Sequence, residues 1–118
     1  MGWSWGYHFT GVQGNLVEYN HIHDIGKGVL SDMGAVYLLG SQSGTKVRHN
    51  LIHSVDARVY GGMGIYNDEG SSGILIEGNI VHDTKYSLYN MHYGRDITIR
   101  NNIISSPRAA TDKSSVAS

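Results

Sequence analysis

Apolar positions in this chain come in short alternating runs such as Val36-Tyr37-Leu38, Ile74-Leu75-Ile76 and Ile97-Thr98-Ile99, separated by turn residues. None continues to helical length, so the pattern predicts short strands. Four segments superimpose: Val17-Glu18-Tyr19-Asn20-His21-Ile22-His23, Val47-Arg48-His49-Asn50-Leu51-Ile52-His53, Ile76-Glu77-Gly78-Asn79-Ile80-Val81-His82 and Ile99-Arg100-Asn101-Asn102-Ile103-Ile104-Ser105. Each places an aliphatic residue three positions before an asparagine. Thirteen positions before Asn20, Asn50, Asn79 and Asn102 stand Tyr7, Tyr37, Tyr66 and Tyr89. Such self-similarity is the mark of a repeat architecture.

Successive asparagines are 30, 29 and 23 residues apart, so insertions belong to one side of the structure. Each unit reads as one turn of a solenoid, with asparagines at one corner bonding along the stack as a ladder. The pattern resembles the right-handed parallel β-helix, an all-β fold, here of about four to five coils. Val17, Val47, Ile76 and Ile99 are the expected inward positions, with Val36, Ile65 and Leu88 on a second wall. Residues 1–105 form the expected single domain and 106–118 a polar, disordered tail. No amphipathic helix is available to cap an end. Trp3 and Trp5 are expected over the first coil, and the open coil ends predict a homo-oligomer.

Composition sharpens this picture. The 118 residues include 16 glycines, about twice the usual share, and a single proline. Glycine at that level suits turns between strands, not helix interiors. Nine basic and ten acidic residues give a net charge of −1, with no electrostatic footprint for nucleic acid or an anionic membrane. Without cysteine there is no disulfide or thiolate chemistry. No apolar run reaches the length of a membrane span, and Met1–Thr10 lacks the features of a signal peptide.

Two stretches depart from plain repeat filling. Leu30-Ser31-Asp32-Met33-Gly34 and Gly64-Ile65-Tyr66-Asn67-Asp68-Glu69-Gly70-Ser71 set three carboxylates among glycines. In the repeat register Asp68 falls level with Leu39 and Met91, and Glu69 with Gly40 and His92, so acids interrupt the stack. Breaks in local consistency are candidate functional positions. Turn acids bonding exposed backbone amides are the alternative reading.

These phrases, with Asn90-Met91-His92-Tyr93-Gly94-Arg95 and the Asn-Asn-Ile-Ile run, are similar to segments of glycoside hydrolase family 141. The resemblance covers residues 5 to 105. It implies a catalytic-face portion of a longer enzyme, export to a periplasm or beyond, and hydrolysis of plant-type polysaccharide, xylan or a fucose-containing pectic glycan. Carried over, the family's catalytic pair falls on Asp32 and Asp68, with Glu69 able to replace either. Glycoside cleavage needs one protonated carboxyl for the leaving oxygen and one carboxylate as base or nucleophile. A straight strand would separate Asp32 and Asp68 laterally by about 20 Å, so a bend near Met33-Gly34 is required. His92 and Arg95 are candidates for sugar hydroxyls or a uronate, and Tyr37, Tyr66 and Tyr89 for a stacking strip, although aligned tyrosines also stabilise strands without ligand.

His23, His53 and His82 share one repeat position and read as a structural ladder, with no metal site assigned. No cofactor is expected for a hydrolase. A polysaccharide lyase is a second reading, with calcium on Asp68 and Glu69 and Arg95 as base. A noncatalytic glycan-binding or assembling solenoid is a third.

Overall fold

The computed structural model describes residues 1–105 and Arg108; apart from Arg108, the expected 106–118 tail lies outside the described residues. The strands are β1 (Leu16–Glu18), β2 (His21–Ile25), β3 (Gly34–Leu38), β4 (Ser41–Arg48), β5 (Leu51–Val55), β6 (Met63–Asn67), β7 (Ser72–Glu77), β8 (Ile80–Val81), β9 (Tyr89–Met91), β10 (Arg95–Arg100) and β11 (Ile103–Ile104). They form three parallel sheets, ordered β1-β4-β7-β10, β2-β5-β8-β11 and β3-β6-β9. Each sheet takes one strand per coil, and the coils are those of a parallel β-helix.

The first sheet stacks Val17, Val47, Ile76 and Ile99 in one register. Val47 and Ile76 are buried, with Val36, Ile52, Ile65, Ile74, Val81 and Leu88 in the same core. Full burial of such a side chain contributes about 1.5–3 kcal/mol. The two end positions keep that register but are less covered. Val17 is only partly buried and Ile99 is exposed, because among the described residues no further coil covers either.

The turn between the first and second sheets carries the asparagine ladder. The backbone N–H and Nδ2 of Asn20 both donate to Asn50 Oδ1, at 3.1 and 3.0 Å. Asn50 repeats this to Asn79 Oδ1, and Asn79 to Asn102 Oδ1. The amides also donate back to Val17, Val47 and Ile76 carbonyls. Tyr19, His49, Gly78 and Asn101, each just before a ladder residue, take left-handed backbone. That bend turns the corner and lets each asparagine side chain bond along the stack.

The third sheet brings one correction. Tyr37 pairs with Tyr66, but Tyr89 pairs with Ile65 and it is Asn90 that stands opposite Tyr66. The turn from Met91 to Arg95 is one residue shorter than that from Asn67 to Ser72, so counting back from Asn102 overshoots by one position. Because strand side chains alternate, this slip points Tyr89 inward. Its ring joins the core, where its hydroxyl accepts a 2.8 Å hydrogen bond from Nδ2 of buried Asn67.

The N-terminal segment is the second correction. Met1 to Tyr7 does not form a strand of the first coil but runs along the stack as a strap across the turns that follow the third sheet. Leu39 N–H donates to Met1 C=O at 2.9 Å, and the Tyr7 hydroxyl donates to Tyr93 C=O at 2.8 Å. Between them the strap crosses Gly70, where an added Cβ would fall 2.2 Å from the Gly6 carbonyl oxygen. Trp3 and Trp5 therefore do not cover the first coil. They are exposed on the strap.

Candidate functional site

The corner between β6 and β7 is built by Asp68, Glu69, Gly70 and Ser71. The equivalent corners hold only Leu39-Gly40 before β4 and His92-Tyr93-Gly94 before β10. This third-coil turn is therefore the longest of the set. Its ends are tied, since Asp68 N–H donates to Leu38 C=O at 2.8 Å and Ser71 N–H to Asp68 C=O at 3.0 Å. Gly70 supplies the left-handed backbone the turn needs, at φ +81°.

Asp68 is buried and holds three donors. The Tyr37 hydroxyl donates to Oδ2 in a short contact, while Glu69 N–H at 2.8 Å and His92 Nδ1 at 3.0 Å share Oδ1. Burial pushes the Asp68 carboxyl up. The bonds from Tyr37, His92 and the Glu69 amide, with the nearby His92 charge, outweigh it and hold the group below its ordinary value. Asp68 is thus a carboxylate at neutral pH. The slip in the fourth coil puts His92, not Met91, beside Asp68, a correction to the expected register. Glu69 stays half exposed, its Oε1 4.0 Å from His92 Nδ1.

Asp32 enters from the connection between β2 and β3. Its backbone is left-handed, φ 48°, immediately before the Met33-Gly34 position where a bend is expected, and its N–H donates to Tyr60 C=O at 2.6 Å. The Tyr66 hydroxyl reaches Asp32 Oδ1 at 3.5 Å. Tyr37 and Tyr66 meet edge to face with centroids 5.1 Å apart. Asp32, Tyr66, Tyr37 and Asp68 therefore form one continuous row on the outer face of the third sheet. Burial, followed by the hydrogen bond to Asp68 and the charges of Asp68, Asp32 and Glu69, pushes Tyr37 well up; burial and the charges of Asp68 and Asp32 do the same to Tyr66. Both phenols stay protonated and act as donors.

Of the remaining candidates, Tyr66 and Tyr89 are both buried, each 4% exposed, and neither can join a sugar-stacking strip. Arg95 lies over the Tyr7 ring, its guanidinium carbon 4.1 Å from the centroid, and so is held by the strap. Repeat counting hid the strap's part, since it aligned Tyr7 with the stack. Exposed Trp3 and Trp5, on the strap that crosses the acid turn, are the aromatic surfaces it overlooked. Among the described residues no group of three or more histidine or acidic side chains stands where it could hold a metal ion. The donors already on Asp68 make it a poor calcium ligand.

A family model described as a right-handed β-helix region matches residues 4–111. A solved structure described as a glycoside hydrolase is similar at a TM-score of 0.71 and 30% identity, over 86% of this chain and 17% of its own. The chain thus spans about a sixth of that protein's length. No curated protein matches the chain.

Proposed function

The chain belongs to the right-handed β-helix family, and from that premise we propose that it hydrolyses glycosidic bonds through Asp32 and Asp68. The observation that carries the reading is the row in which Tyr37 and Tyr66 link the two carboxylates. Asp68, held ionised by its donors, serves as base or nucleophile. Asp32 delivers the proton to the leaving oxygen, and Glu69, next to Asp68, is the substitute for either. Water supplies the hydroxyl that ends on the sugar. The name of the similar solved structure supports this class of reaction. Membership of glycoside hydrolase family 141, with xylan or a fucose-containing pectic glycan as substrate, is the finer proposal, resting on the Ser-Asp-Met-Gly, Asp-Glu-Gly-Ser and His-Tyr-Gly-Arg phrases.

Incubation with xylan, pectic fractions and aryl fucosides tests the proposal. Wild type should release sugar, and Asp32→Asn and Asp68→Asn should each lower the rate by about a hundredfold or more, the lower end for a lost acid or base. Equal release by all three proteins, or none, overturns it.

One observation favours a noncatalytic reading. Three donors on one carboxylate are also what a turn-stabilising aspartate holds, and exposed Trp3 and Trp5 could stack on sugar rings without cleavage. Retention on insoluble polysaccharide with no reducing sugar released would select it. The lyase reading loses support because Arg95, its base, is engaged as a cation over Tyr7. An ultraviolet-absorbing product abolished by chelator would restore it.

A further inference from the structure

The outer face of the second sheet carries four histidines on three adjacent coils, away from the acid row. His53 stacks on His82 with centroids 4.9 Å apart and on His23 at 5.4 Å. The repeat explains these three. His21 is different, since it pairs in register with Leu51 yet swings diagonally so that its Nε2 lies 2.7 Å from Nε2 of His53.

The surrounding bonds fix which nitrogen of His53 is bare. The Ser54 hydroxyl donates to Asp83 Oδ2 at 3.1 Å, and so can only accept from His53 Nδ1, 2.9 Å away. His53 thus carries its proton on Nδ1, with a lone pair on Nε2 facing His21. A carboxylate, reached here through a hydroxyl, that orients an imidazole and leaves its far nitrogen free is how proteins prepare a histidine as a metal ligand. His21 now fills the gap with its own Nε2 proton. Moving that proton to Nδ1 is a tautomer change with no net loss, and it leaves two lone pairs converging from neighbouring strands.

We propose that His21 and His53 form a two-imidazole site, open to solvent, for a borderline divalent transition ion such as Zn²⁺ or Cu²⁺. Waters complete the coordination, consistent with there being no three-ligand group among the described residues. Zn–N bonds of about 2.0–2.1 Å at a tetrahedral angle set the nitrogens about 3.3 Å apart, so the pair opens by roughly 0.6 Å on binding. Exposed His21 has room for that movement. Hard ions such as Mg²⁺ do not fit a site made only of imidazole.

The test is calorimetric titration of the untagged, metal-free chain with Zn²⁺, Cu²⁺ and Mg²⁺, with paramagnetic resonance of the Cu²⁺ form. One ion per chain is expected, Cu²⁺ tighter than Zn²⁺, with no binding of Mg²⁺. His21→Gln and His53→Gln should each weaken Zn²⁺ at least about tenfold, the low end even for an outer-shell partner, while His8→Gln leaves it within about twofold. The Cu²⁺ spectrum should show two equatorial imidazole nitrogens, a reading that needs no variant to fold. Unchanged affinity in the His21→Gln/His53→Gln double variant, or a wild-type spectrum without two nitrogens, overturns the proposal.

Discussion

The Tyr37 hydroxyl donates to Oδ2 of Asp68 from the neighbouring coil, and it is one of the bonds that keep this buried carboxyl ionised against its own desolvation. Tyr37→Phe removes that donor and leaves the ring. A hydrogen bond to a charged group contributes about 1.5–3 kcal/mol, so the variant should lose about that much stability at neutral pH. Because the Asp68 pKa is depressed by folding, its contribution is present above the unfolded value of about 3.9 and is lost as pH falls through the folded value. Tyr37→Phe raises the folded value, so its acid unfolding should lie closer to wild type than its neutral unfolding does. Urea melts at neutral pH and near pH 3 check this; an equal gap at both would be the wrong result.

The asparagine ladder should be steeply position-dependent. Asn79 is buried, accepts two bonds from Asn50, and donates to Asn102 Oδ1 and Val47 C=O. Asn20, at the open end, supplies a single side-chain bond. At about 1 kcal/mol net per bond, with more for each buried group left unpaired, Asn79→Ala should cost about 3 kcal/mol or more and Asn20→Ala about 1. Chemical denaturation of the two variants decides it, and similar costs would mean the ladder is not a load-carrying chain of bonds.

Inside the coil, Tyr89 and Asn67 form a buried polar pair that the outward tyrosines do not. Tyr89→Phe strands the Asn67 amide in the core and should cost about 1–3 kcal/mol. Tyr66→Phe gives up only a 3.5 Å contact to Asp32, so a smaller loss is expected. Thermal melts that rank the two the other way would place Tyr89 outside the core.

The first two sheets were legible in the sequence because their inward positions are aliphatic and their corner is an asparagine in every coil. The third sheet was not, because one residue fewer between Met91 and Arg95 shifts the count without leaving a gap in the pattern. Asp32 and Asp68 could be singled out as acids among glycines, and Tyr37 and Tyr66 by their place in the repeat, but not the link between the tyrosines and the acids, since neither an edge-to-face contact nor a hydrogen bond between coils has a spacing rule. The strap was hidden for a similar reason: Met1 meets Leu39, and Gly6 meets Gly70, through backbone, which side-chain patterns do not encode. His21 escaped notice because its partner is diagonal, two positions along from its register mate.

The strap depends on glycine at its crossing point. At Gly70 the backbone is left-handed and a Cβ would meet the Gly6 carbonyl, so Gly70→Ala carries both a conformational cost of about 1–2 kcal/mol and a clash with the strap. The expected result is a strap that lifts while the coils stay folded. Limited proteolysis should then cleave between Met1 and Phe9 faster than in wild type, with the far-ultraviolet spectrum unchanged. Equal cleavage rates would mean that the strap is not held at this crossing.

We propose that the described edge strands support self-association. Among the described residues β10 and β11 each pair on one side only, with Ile103 64% and Ile104 38% exposed, and β1 pairs only with β4, with Leu16 56% exposed. Apolar side chains beside unpaired strand edges favour docking of another edge, which would satisfy the backbone groups and bury the isoleucines together. We therefore expect the 118-residue chain to be a homo-oligomer at micromolar concentration. Ile103→Lys places a charge on that edge and removes an apolar contact, a device that blunts edges in natural sheets. Light scattering should give an oligomer mass for wild type and a smaller species for Ile103→Lys, and a monomer mass for wild type would end the argument. An oligomer unaffected by Ile103→Lys would instead move the contact away from this edge.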